Sequence, residues 1–411
     1  IDPDSDPGDT APSIAARVGI GLATATGTGY TFNTMSLPPA TYLSAIDAID
    51  AHDGLLRGRR LGLITNPSGV NAAFVSTATL LAARHNLVAL YGPEHGVRGD
   101  AQAGEAVGTR STGPLGIPEY SLYGRTNRLT PAMMEGVELM LFDIQDIGSR
   151  FYTYIYTLGE AMEACAKSGI PFIVLDRPNP LGGHRAEGTV IRPAFHSGVG
   201  NYGLPARHPL TVGEMARRIQ RLRVPACGLT VLPCPAWDRS PFPAGGSWLN
   251  PSPNMPSATA ALVYNGTCFF EGTTISEGRG TTRPYEIIGA PFIDAERLAA
   301  EMNAKKLPGV RFRACCFTPT FSKHQGTPCH GLQLHVIDAD AFNGFETGIT
   351  LFQTLRATTP EMAVTSPSHL NNLFGDDTLL RGEEPLDDLL ARARAESAAF
   401  LRETAVDLIY S

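Results

Sequence analysis

Four short apolar runs, each closed by a polar turn, constrain this chain more than any other feature. Residues 60–65 (Arg-Leu-Gly-Leu-Ile-Thr), 87–91, 137–142 and 171–175 each read as a buried strand. Behind the first, Phe74, Ala78 and Leu81 repeat at helical spacing; behind the third, Leu158, Met162 and Cys165 mark a helix that closes at Ser168-Gly169. Strands that are apolar throughout and alternate with helices predict a parallel sheet covered on both faces. Thr211 and Glu214 have capping-box spacing at the start of a further helix, and residues 229–232 add a strand. After the proline-rich stretch 233–256 the rhythm changes. Residues 261–270 and 332–337 look strand-like, a helix follows Asp294, and the last helix carries Leu386, Leu390, Ala393 and Phe400 on one face. The expected architecture is α/β: a mostly parallel sheet domain over residues 35–256, a second, smaller C-terminal α/β domain over residues 257–411, and an active site in the cleft between them.

Composition removes several classes of function. The chain has 411 residues, 43% hydrophobic, with a net charge of −7, and no Lys/Arg block that would track a phosphate backbone, so no nucleic acid partner is expected. No apolar run approaches the roughly 18 residues of a membrane-spanning helix. Seven cysteines without a C-x-x-C pair suggest neither a disulfide framework nor a zinc site. Cys315 or Cys316 and Cys329 flank a turn-rich stretch that leaves room for one late bridge, and free buried thiols are the expected state. Residues 1–34, acidic and then glycine- and threonine-rich, read as a leader or appended segment ahead of a native start at Met35. They lack the Leu-rich centre of a signal peptide.

The turn at the end of each strand carries the chemistry. Asn66-Pro67-Ser68-Gly69, Gly92-Pro93-Glu94-His95-Gly96, Asp143-Ile144-Gln145-Asp146 and Asp176-Arg177-Pro178-Asn179-Pro180 close the four runs in turn. Open parallel sheets bind ligands beyond the carboxyl ends of their strands, so the four loops are expected to share one cleft, with Glu94, Asp143, Asp146 and Asp176 as neighbours. Crowded, partly desolvated carboxylates raise one another's pKa values and supply a general acid at neutral pH, which suits glycosidic hydrolysis. The alternative for Asp143 and Asp176 is capping of loop amides, and for His95 a scaffold role. G-x-G-x-x-G after the first strand, Walker A, G-x-S-x-G and H-E-x-x-H patterns are all absent. A divalent metal on Asp143, Asp146 and Glu94 is a minor reading, and neither metal nor cofactor is expected.

The Pro-Glu-His-Gly loop, the run from Phe142 to Tyr154, Asp176-Arg177-Pro178-Asn179-Pro180, and Phe270-Glu271-Gly272-Thr273 with Gly278-Arg279-Gly280-Thr281 together resemble the NamZ-type exo-β-N-acetylmuramidases, in the same order from about Met35 to Tyr410. The resemblance implies a Rossmann-like larger domain and removal of N-acetylmuramic acid from non-reducing ends of peptidoglycan fragments. It also implies a secreted or periplasmic bacterial location and Glu94 as the leading catalytic residue. Glu271 and Asp143 are the further catalytic candidates. The lactyl carboxylate of N-acetylmuramic acid calls for a cationic fork, for which Arg150, Arg177, Arg279 and Arg283 are candidates; intramolecular salt bridges are the competing reading. Asn66, His95, Gln145, Asp146, Asp176, Asn179, Arg207, His208, Asn250 and Asn254 are expected to bind substrate, with Tyr152 and Tyr154 stacking on sugar faces. The competing class is a non-catalytic amino-sugar or peptidoglycan-binding protein using the same cleft.

Overall fold

A computed structural model of the chain describes residues 43–99, 113–123, 128–242 and 247–411. The expected leader 1–34 and the expected start at Met35 lie outside the described residues. Strands β1 (Arg60–Thr65), β2 (Asn86–Gly92), β3 (Glu119–Ser121), β4 (Leu139–Asp143), β5 (Phe172–Leu175) and β6 (Leu229–Leu232) form one sheet in the order β3-β2-β1-β4-β5-β6. Every pairing in it is parallel. β4 and β5 are buried at every residue, and β1 at all but its first, which is why they read as unbroken apolar runs rather than alternating ones. The order reverses between β1 and β4. That crevice is where an open α/β sheet ordinarily receives its ligand.

The helix Tyr154–Lys167 ends at Ser168, followed by Gly169 at φ 67°. The helix Val212–Leu222 starts at Thr211, whose side chain and that of Glu214 form the reciprocal capping box. One expected helix begins later than its spacing suggests. Ser76 accepts the Thr79 N–H and starts Thr77–Arg84, so Phe74 falls in the preceding loop, left-handed and 59% exposed.

The smaller sheet holds β7 (Ile287–Ala290), β8 (Val310–Phe317) and β9 (Cys329–Val336), antiparallel and ordered β7-β9-β8. Residues 261–270 are not a strand. They form the helix Ala258–Thr267 and then a single-turn 3-10 helix, Cys268–Gly272. A short run that is apolar on every side has no period to separate buried strand from buried helix, and Ser257 settles it by accepting the Ala260 N–H. Gly266 is required here: a Cβ would meet the Gly344 carbonyl oxygen at 1.9 Å, so this helix lies directly on Gly344–Thr358. In the last helix, Leu386–Glu403, the fully buried face is Leu389, Ala393, Ser397 and Phe400, with Leu386 and Leu390 packed half-buried beside it. All seven cysteines are free thiols. One hydrophobic cluster runs from Ile64, Tyr91 and Phe142 through Phe151 into Phe269, Phe345 and Phe374, so the two sheets share a core. Among the described residues no helix is long and apolar enough to cross a membrane.

Candidate active site

The loop after β2 is shaped by its backbone. Gly92 cannot carry a side chain, because a Cβ would lie 2.4 Å from the Val97 nitrogen. His95 and Gly96 are both left-handed, at φ 71° and 77°, and Gly96 N–H donates to the Pro93 carbonyl at 2.8 Å. This turn puts Glu94 and His95 on the wall of a cavity of about 490 Å3. The size suits one small ligand. Thr153 Oγ1 donates to Glu94 Oε2 at 2.8 Å. Burial, and then the adjacent Glu94 carboxylate, push the Tyr123 hydroxyl up from its ordinary value.

The opposite wall comes from the second domain. The turn Cys268–Gly272 presents Glu271, whose Oε1 accepts from Arg279 Nη2 at 2.7 Å and from the Tyr285 hydroxyl at 3.1 Å. His369 Nε2 lies 3.2 Å from Glu271 Oε2. Burial alone would raise this carboxyl, but Arg279 and His369 outweigh it and hold Glu271 well below the usual carboxylate range. Arg279 also pairs with Glu277 at 3.2 Å and lies over the Tyr285 ring. Lys323 ties Glu277 to the Phe270 and Ile275 carbonyls. Phe151, Tyr152, Tyr154, Tyr264 and Tyr285 complete the walls with Ser252, Asn254 and Met255. Tyr152 meets Tyr154, and Tyr264 meets Tyr285, edge to face.

Of the residues expected from sequence, Glu94, His95, Tyr152, Tyr154, Asn254, Glu271 and Arg279 line this cavity. The expectation that four strand-end loops share it is corrected. Asp143 is fully buried, bridged by Arg177 Nε at 2.6 Å and Nη2 at 3.0 Å and bonded by the Thr77 hydroxyl. Asp176, also fully buried, accepts from Thr211 Oγ1, the Gly213 and Arg177 amides, and the Tyr410 hydroxyl at 2.6 Å. Tyr410 Oη in turn accepts the Cys234 amide. Asn66 spans Pro251 O and Ser68, and Gln145 donates to the Asp146 and Pro178 carbonyls. Asn179 pins the His208 and Leu210 carbonyls. The crevice between β1 and β4 is thereby filled by the chain's own polar groups.

Three expected arginines are also engaged elsewhere, and three more expected binders lie off the cavity. Arg150 is fully buried and donates to four backbone carbonyls. Arg207 pairs with Glu187, and Arg283, with its side chain 55% exposed, pairs with Glu286. Asn250 is exposed and outside the cavity lining. Asp146 and His208 form a buried couple instead of a binding surface, Oδ2 to Nε2 at 3.5 Å. Burial pushes Asp146 up to about 7 and His208 down to about 3.

Sequence reading missed Tyr123, Thr153, Ser252, Tyr264, Tyr285 and His369 as lining residues. Thr153 sat inside a run already singled out. His369, nearly a hundred residues from Glu271, gave no local signal. Among the described residues no group of three or more His, Cys, Asp or Glu side chains gathers as metal ligands would.

A parallel-sheet domain that places Glu94 in the loop after β2, and a second domain that presents Glu271 on a 3-10 turn, together wall a tyrosine-rich cavity in a two-domain α/β protein. The chain belongs to the exo-β-N-acetylmuramidase NamZ family. Family models described as Exo-beta-N-acetylmuramidase NamZ, N-terminal, and Exo-beta-N-acetylmuramidase NamZ, C-terminal, match residues 61–259 and 262–410. The chain is 50% identical over 316 residues to the Peptidoglycan beta-N-acetylmuramidase NamZ of Bacillus subtilis (strain 168), across 74% of this chain and 75% of that protein. Crystal structures of two DUF1343 family proteins from Bacteroides fragilis NCTC 9343 share the fold. One has a TM-score of 0.83 at 33% identity, covering 91% of this chain and 100% of its own. The other has a TM-score of 0.73 at 26% identity, covering 90% and 99%.

Proposed function

We propose that this protein is a glycoside hydrolase that releases β-linked N-acetylmuramic acid from the non-reducing ends of peptidoglycan fragments, including muropeptide-derived disaccharides. The observation that carries the reading is the pair of glutamates on opposite domains of one cavity, set in unlike surroundings, within a chain of this family. Glycosidic cleavage needs one group that gives a proton to the leaving oxygen and another that meets the positive charge growing on the sugar. Glu94 is the proton donor in this reading, oriented by the Thr153 hydroxyl. Glu271, kept ionised by Arg279 and His369, is the anionic partner. An ionised carboxylate has no proton to give, which supports Glu94 over Glu271 as the acid.

Arg279, the one expected arginine on the cavity wall, serves with His369 as receptor for the lactyl carboxylate, and the tyrosines cover the apolar sugar faces. A peptidoglycan substrate supports a location outside the cytoplasm, secreted or periplasmic, which fractionation of the producing cells would test. Incubation with a defined disaccharide bearing N-acetylmuramic acid at its non-reducing end should release the free sugar, detected by mass spectrometry. Binding of that disaccharide without any release would establish the non-catalytic alternative.

A further inference from the structure

Arg150 is among the largest fully buried side chains, and it is held by carbonyls rather than by a carboxylate. Its Nη1 donates to Thr189 O at 2.6 Å and Leu204 O at 2.8 Å; its Nη2 donates to Leu373 O at 2.6 Å and Phe374 O at 3.0 Å. The last two carbonyls form the C-terminal end of the helix Pro367–Phe374 in the second domain. The macrodipole concentrates partial negative charge there, and the orphan carbonyls of a last turn need donors. Gly375 closes that helix in the left-handed conformation at φ 98°, close enough that a Cβ would lie 3.3 Å from the guanidinium. Thr189 Oγ1 adds a second donor to Phe374 O at 2.7 Å.

The same helix carries His369 in its first turn, 3.2 Å from Glu271. It also carries Leu373 on the cavity wall. On the other side, Arg150 opens the strap Arg150-Phe151-Tyr152-Thr153-Tyr154, in which Thr153 holds Glu94. Arg150 N–H is itself fastened to Ala206 O at 2.8 Å. One short strap therefore reaches both carboxylates, Glu94 through Thr153 and Glu271 through Arg150, the helix end and His369.

We propose that Arg150 is a positioning residue for the reaction, locking the His369-bearing helix to the strap that orients Glu94 so that the two glutamates keep one fixed separation. This rests on the reading of Glu94 and Glu271 as the reacting pair. A lysine keeps the charge, but its single ammonium cannot reach carbonyls on two sides as the planar fork does.

Arg150→Lys should fold, with kcat on the muramyl disaccharide lowered about 10- to 100-fold and KM changed by less than about 3-fold, because small misplacements of reacting groups tax turnover more than binding. In Arg150→Ala, guanidinium at tens of millimolar should restore part of kcat, while urea at the same concentration should not. In a His369→Gln background the loss caused by Arg150→Lys should shrink to less than about 3-fold, since the two act in series. A third readout, the NMR resonances of the His369 ring, does not depend on turnover: they should move in Arg150→Lys. Wild-type kcat in that variant with only a lower Tm, equal losses in both backgrounds, or unmoved His369 resonances would each overturn the lock. If neither Arg150 variant folds, Thr189→Val decides it: lowered kcat at unchanged KM supports the lock, and wild-type kcat overturns it. If the wild-type protein releases no sugar, the functional reading fails, and the His369 resonances still decide the role of Arg150.

Discussion

Two acidic regions lie close together on this molecule and differ in what has become of their carboxylates. At the sheet edge behind β1, β4 and β5, Asp143 and Asp176 are wholly enclosed, with Arg177, Thr77, Thr211, Tyr410 and backbone amides filling their acceptor positions. In the neighbouring cavity, Glu94 and Glu271 reach open space, although each is anchored by side chains of its own wall. The usual ligand crevice of such a sheet has been plugged, and the site has moved sideways to the β2 loop and across to the second domain. An acid at a strand end becomes available to a ligand only where the chain leaves it some surface, and sequence order alone does not say which one that is.

The comparison breaks if the enclosed region proves chemical or the cavity proves inert. The largest effect is expected at Glu94. Glu94→Gln should lower kcat on a natural disaccharide by about 10²- to 10⁴-fold, and far less on an aryl glycoside whose phenol leaves without a proton. Equal losses on both substrates in steady-state assays would move the acid elsewhere. Glu271→Gln should cost about 10²- to 10³-fold, and equally on both substrates, because an electrostatic partner is needed whatever the leaving group. Asp143→Asn should act on stability instead. It strands the buried Arg177 guanidinium, costing about 3 kcal/mol in urea unfolding, while turnover per folded molecule stays near wild type.

The smallest effect sharpens the contrast inside the enclosed region. Asp146 has its folded pKa raised to about 7, so between its unfolded value and that point the folded state holds a proton the unfolded chain has lost, and stability falls as pH rises. His208 has its folded pKa lowered to about 3, so below its unfolded value the unfolded chain gains a proton, and stability falls as pH drops. Over the shared span, roughly pH 4 to 6.5, the two slopes cancel, and one proton resides on the couple throughout. His208→Gln should expose the Asp146 slope, a loss of about 1.4 kcal/mol per unit of rising pH. Asp146→Asn should expose the opposite slope. Flat Tm profiles in both variants would refute the assignment.

The parallel sheet was legible because its signals are local. Buried strands repeat as apolar runs, and the capping box at Thr211 lies within four residues. The helix Ala258–Thr267 was misread because burial on every side erases its period. β3, β7 and β8 escaped because the first two are short and β8 carries alternating charge. At the site, the β2 loop and the Glu271 turn stood out through their glycines and acids. Whether Arg150, Arg177 and Arg207 face a ligand or their own chain is a matter of contacts made across tens to hundreds of residues. His369 reaches Glu271 in the same way, and no spacing rule forecasts such a meeting.

The bond from Tyr410 to Asp176 also sets a clock. The phenol that completes the Asp176 carboxylate is made more than two hundred residues after it, beside Ile409, whose N–H docks on Glu214. At synthesis rates of about 5–20 residues per second, the first sheet waits roughly 10 to 50 s for that donor. If Asp176 is already enclosed by then, the missing phenol would leave it one donor short, which favours its protonated form. Sealing of the seam by residues 409 and 410 thus follows synthesis of the whole first sheet, and a chain lacking them should lose the donors that they bring to Asp176 and Glu214.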